Sequence, residues 1–139
     1  MGQQQLLLIV LGVIIVGIAV VVGINVFTAS SLQANNDALI ADLTTIGSMA
    51  QQHYRKPAAM GGGGNSFDGT AQANGVAFAV PLSLTQTANM SAPVVLGPGA
   101  QAITLTGTGT ETNDGGAQLV VVITVTPDDI SVTSTNVNG

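Results

Sequence analysis

Between Leu6 and Ile24 the chain carries no polar side chain: LLLIVLGVIIVGIAVVVGI. As an α-helix this run is about 28 Å long, close to the hydrocarbon thickness of a bilayer. No charged side chain appears before Asp37. A helix of this kind has to lie in lipid or against other apolar helices, and the rest of the chain must be arranged around that demand.

The flanks narrow the choice. Met1, Gly2, Gln3, Gln4 and Gln5 include no Lys or Arg, and the apolar run is longer than the roughly 7–15 residues of a secretory signal core. A permanent single-pass anchor usually carries cations near its cytoplasmic end, and none is present here. The expected account is a short basic leader ahead of Met1 that has been removed. Within the run, Gly12, Gly17 and Gly23 weaken the helix by about 1 kcal/mol each relative to Ala, but they allow helices to approach closely in an apolar medium. The run reads either as a lipid-facing anchor or, more sharply, as a helix that packs against copies of itself.

From Ser31 the pattern turns amphipathic. Leu39, Leu43, Ile46 and Ala50 recur at helical spacing, with Ile40 and Met49 beside them. Asn35, Asp37, Asp42, Gln51 and Gln52 are expected on the other side. Arg55 and Lys56 suit the negative end of a helix dipole, and Pro57 is a stop signal. One helix is therefore expected from near residue 2 to Lys56, about 80 Å long. Residues 58–68, AAMGGGGNSFD, read as a loop; its glycines lack the Gly-Lys-Ser/Thr of a phosphate-binding loop.

Beyond the loop the period becomes two. Val76, Phe78, Val80, Leu82 and Leu84 predict a strand interrupted at Pro81. Ile103 and Leu105 alternate with threonines, and Leu119 to Val125 reads as a strand apolar on both faces. Asn113-Asp114-Gly115-Gly116 offers hairpin chemistry between those two runs. Asp128 and Asp129 make a turn before a last strand from Ile130 to Thr135. The expected fold is α+β: a long N-terminal helix packed on a C-terminal antiparallel sheet of about four strands. Three regions follow: residues 1–30, an apolar core-forming or transmembrane half-helix; 31–57, its amphipathic second half; and 58–139, the loop and β-domain.

Chemistry is sparse. Charged residues are 6% of the chain, with two cations, Arg55 and Lys56, and a net charge of -5. Phosphate neutralisation needs several cations, so no nucleic acid is expected as a direct ligand. There is no cysteine, which removes disulfides and thiolate chemistry. His53 stands alone and reads as structural. The carboxylates fall mostly in turns, where Asp114, Asp128 and Asp129 leave a weak calcium site open. Asn89-Met90-Ser91 matches an N-glycosylation sequon, and Ser131, Thr133, Ser134 and Thr135 offer hydroxyls for O-linked sugars. Phe27, Tyr54, Phe67 and Phe78 are too few for base stacking, for a sugar platform or for a conductive aromatic stack. No enzyme, cofactor or metal is expected.

Taken together, MGQQQLLLIVLGVIIVGIAV followed by an amphipathic half-helix and a sheet resembles the mature N-terminus and architecture of type IV pilins. The resemblance is specific over residues 1 to about 30 and architectural beyond. QQHYRKPAAMGGGGNSF is also similar to the helix-to-loop junction of some bacterial pilins. It implies a structural subunit that polymerises with copies of itself into an extracellular filament at the cell surface. Before assembly such a subunit resides in the cytoplasmic membrane, where a prepilin peptidase and the pilus assembly machinery act on it. The assembly residues implied are Met1, Gln5, Leu6, Val13, Gly17 and Gly23. Three departures stand out: Gln5 replaces the family's Glu, the helix-breaking Pro of the apolar half is absent, leaving Gly17 and Gly23 as a weaker break, and the C-terminal disulfide is missing. A secretion-system pseudopilin and a single-pass anchored binding module are the alternative readings.

Overall fold

A computed structural model of the chain describes residues 2–113 and 115–137, with side chains described as far as residue 133 in the last strand. Met1 and Asp114 lie outside the described residues, as do the side chains of Ser134 and Thr135. Helix α1 runs from Gly2 to Arg55 without interruption, 54 residues in all. It passes through Gly17 and Gly23 as regular helix, so the expected weak break there does not occur. Continuous i→i−4 bonding through an apolar stretch tolerates glycine, because the backbone groups have no competing water to turn to.

Strands β1 (Met90–Gly97), β2 (Ile103–Thr112), β3 (Gln118–Val125) and β4 (Ile130–Val137) form one antiparallel sheet in the order β1-β2-β3-β4. The expected strand at 76–84 is corrected. Val76 to Pro81 belongs to no strand, and Leu82–Thr85 forms one helical turn, α2. Pro81 opens that turn, with the Leu84 amide donating to its carbonyl at 2.8 Å. The strand's place in the sheet is taken by β1, MSAPVVLG, whose pairing with β2 is irregular on both sides of Ala92.

The helix lies on one face of this sheet. Leu39, Leu43, Ile46 and Ala50 are fully buried, facing Leu105, Val121, Ile123 and Val125. Burial of such side chains supplies about 1.5–3 kcal/mol each. Two glycines in β2 set how closely the helix sits. A Cβ on Gly107 would stand 3.2 Å from Leu43, and one on Gly109 would collide with the Asn35 amide oxygen. Asn35 is itself buried, donating to the Asn89 carbonyl at 3.0 Å. These contacts run Asn35 with Gly109, then Leu43 with Gly107, so α1 and β2 point in opposite directions.

The expected polar side of the helix is therefore corrected too. Asn35 faces the sheet, Asp42 accepts from Thr87 at 2.6 Å and Asn89 at 3.1 Å, and Gln51 donates to the Thr126 carbonyl at 2.9 Å. Of the polar residues expected on that side, Asp37 and Gln52 are exposed, and Met49, expected beside the apolar stripe, is exposed as well. Sequence periodicity cannot separate a polar residue facing water from one facing a strand end that has backbone groups to satisfy.

The glycine run after Pro57 is a tight wrap around the helix end. The amides of Gly63, Gly64 and Asn65 donate to the carbonyls of His53, Lys56 and Tyr54 at 2.9, 3.0 and 2.8 Å. These are carbonyls that an α-helix leaves without partners. Gly64 has a φ of 60°, and Gly62 sits so close to the Lys56 carbonyl that no Cβ fits. Beyond it the Ser66 hydroxyl, and after it the Thr70 hydroxyl and amide, hold the Asp68 carboxyl below the usual carboxylate range.

Candidate assembly surface

The β-domain covers only the second half of α1. From Leu6 to Phe27 every large apolar side chain is exposed, and the helix over residues 2–27 has no buried residue. Of the residues that the resemblance implies for assembly, Gln5, Leu6, Val13, Gly17 and Gly23 lie on this bare segment, while Met1 lies outside the described residues. The segment is long and apolar enough to cross a membrane. The structure thus presents an apolar rod about 38 Å long rigidly continued by a rod that is seated on a sheet.

Three properties of the rod fit it for contact with other helices. First, a Cβ at Gly12, Gly17 or Gly23 would meet nothing within 4 Å, so the chain's own fold does not require glycine there. Second, Gly12 and Gly23 are eleven residues apart, close to three helical turns, and so share a side; Gly17 stands on another. Third, the hydroxyl just past its end is satisfied internally: Thr28 donates to the Ile24 carbonyl at 3.0 Å. Gln3, Gln4 and Gln5 are exposed amides at the rod's start. At its other end a groove lies between Asn25, Thr28, Ala29 and Leu32 of the helix and Asn113 and Gly115 of the β2–β3 connection.

The β-domain's own candidates resolve into structural parts. The His53 ring nitrogen is 2.6 Å from the Val76 carbonyl, and the ring leans on Phe78. Asp128 accepts from Arg55 at 3.4 Å, with both side chains largely exposed, which makes the pair worth about 0–1 kcal/mol. Asp129 closes its turn through the Thr126 amide, which donates to the Asp129 carbonyl at 2.8 Å. Among the described residues no three His, Asp or Glu side chains gather as a metal site would need. The Asn89 amide of the sequon is engaged with Asp42, so a sugar there would break a contact of the fold. The sheet seat formed by Asn35, Gly107 and Gly109 carries no periodic signal and escapes a reading of the sequence. Comparison with protein-family models, with curated proteins and with solved structures gives no match.

Proposed function

We propose that this chain is a structural subunit that polymerises through the first half of α1 into a pilus-like extracellular filament, the apolar rods bundled at the centre and the β-domains outside. The observation that carries this reading is the uncovered rod whose glycines have no reason within the chain. A helix that met only lipid would gain from Ala at each of those positions. Glycines on two sides of the rod suit a helix with neighbours on more than one side. The unbroken continuation into the seated half supports the same reading, because it fixes each domain at a set distance from the bundle. Gln3, Gln4 and Gln5 then serve as neutral hydrogen-bonding groups within the bundle. An amide can accept from a neighbouring ammonium and costs less to bury than the family's carboxylate. In this reading the chain passes through the cytoplasmic membrane before assembly, and leader removal and the pilus machinery precede polymerisation.

Electron microscopy of sheared surface material from cells expressing the chain is the direct test. Long fibres that react with an antibody to the β-domain are expected. A protein found wholly in the membrane extract as a monomer would favour an anchored module instead, and short or absent fibres beside an active secretion system would favour a pseudopilin.

A further inference from the structure

Val76, Phe78 and Val80 alternate as a strand does, yet the segment belongs to no helix and no sheet. Its inward edge is used: Phe78 is buried, and the amides of Val76 and Phe78 donate to the carbonyls of Gly62 at 3.1 Å and Phe67 at 2.7 Å. Its outward edge is not. The amides of Ala77 and Ala79 have no partner among the described residues, and both residues are exposed.

The sheet offers the complementary element. Its two edges differ. Strand β1 is blunted by Pro93 and by two register shifts against β2. Strand β4, ISVTSTNV, has no charge and no proline over eight residues, with one shift against β3. Edge strands are ordinarily protected by charge, proline or bulges, because their open N–H and C=O groups template pairing with another chain. The protection is concentrated on one edge here.

We propose that the Val76–Val80 segment of one copy adds as a short strand to the open edge of β4 in a second copy. The occupant is another copy because both halves of the contact are present in each chain and lie on opposite sides of the domain. The loop bearing Val76–Val80 is tied to the β1–β2 connection, where the Phe67 amide donates to the Ala100 carbonyl at 2.9 Å; β4 is the far edge. Such a head-to-tail contact repeats from copy to copy, either closing into a ring or running on as an open filament, and the filament reading takes the second. Main-chain hydrogen bonds supply the attachment, with the amides of Ala77 and Ala79 as donors. The inference rests on the filament reading, which stands the domains side by side in one orientation.

The absence of native cysteine gives a clean test. Sheared fibres of the full chain are oxidised with one cysteine at Ala77 or Ala79 and another at Ser131, Val132 or Thr133. At least one combination is expected to give a ladder of dimers, trimers and higher species, while each single variant stays monomeric. In unmodified fibres the backbone amides of residues 130–133 are expected to exchange about tenfold more slowly than in detergent-solubilised subunits. Fibres that show neither ladder nor slowed exchange overturn the proposal and leave the filament reading intact. Dimers from single variants as abundant as from the pairs overturn its head-to-tail form. A wild-type chain that makes no fibres overturns the filament reading and this contact with it.

Discussion

The two halves of α1 share one backbone and almost nothing else. Over residues 2–27 no side chain is covered, and the sequence carries no charge. Over residues 35–51 one stripe is fully buried, and Asn35, Asp42 and Gln51 are bonded to the sheet and its loops. The second half is stable because its partner is in the same chain. The first half has no partner within the described residues. In the proposed filament, intrachain and intermolecular packing are separated along one helix, so substitutions in the two halves are expected to fail in different ways.

The sharpest break of that separation is Leu43→Ala. Leu43 has no exposure and touches the Gly107 backbone site, so the cavity should cost about 2–5 kcal/mol of domain stability. Thermal unfolding in detergent would read it, and an unchanged midpoint would contradict the seat. Val13→Asp is expected to act on the other half alone. A carboxylate at the centre of an apolar span costs about 2.5–3.5 kcal/mol, which should abolish fibres while leaving the domain's unfolding midpoint where it was. Normal fibre yield would sink the proposed bundle. Gln5→Leu should impair assembly by about 1–3 kcal/mol per subunit by stranding the group its amide meets, with Gln5→Glu tolerated. Fibre counts for the two variants check this.

Gly12→Ala sharpens the comparison further. Alone in a micelle the helix should gain about 1 kcal/mol, seen as slower amide exchange near residue 12, while fibre yield falls because the added methyl meets a neighbour. A gain in both would return the rod to a plain anchor. The smallest effect expected is at Asp68. Its folded carboxyl titrates below its unfolded one, so the contribution is present at neutral pH and is lost as pH falls through the folded value. Asp68→Asn should flatten the acid limb of stability measured between about pH 5 and pH 2, leaving the midpoint at neutral pH slightly lowered.

Much of this was legible in the sequence, for a physical reason. The apolar run and the stripe of Leu39, Leu43, Ile46 and Ala50 are long periodic signals, and β2 and β3 alternate without interruption. The strand β1 was not legible. Pro93 and two bulges erase its alternation, whereas Val76 to Leu84 alternates well and forms no strand. Tertiary packing decided both cases: Phe78 and Leu84 pack on the core from outside any strand. Asn35 looked solvent-facing because its partners, Asn89 and Thr110, are distant in sequence. The glycine wrap read as a connection because capping is a matter of backbone amides, which every residue but proline has. For the rod, the sequence gives its apolar character, and the bare space around its glycines needs coordinates.

The wrap of residues 61–65 around the end of α1 has a mechanical consequence. In the proposed filament, tension would pull each subunit along its helix, and α1 lies alongside β2. Such a load shears the Leu39, Leu43, Ile46 and Ala50 contacts together instead of peeling them one after another. The amides of Gly63, Gly64 and Asn65 hold the foot of the helix, so the rod cannot slip upward without breaking all three at once. In the proposed filament the clasp would make the contact between subunits, and not the fold of the subunit, the weak point under strain.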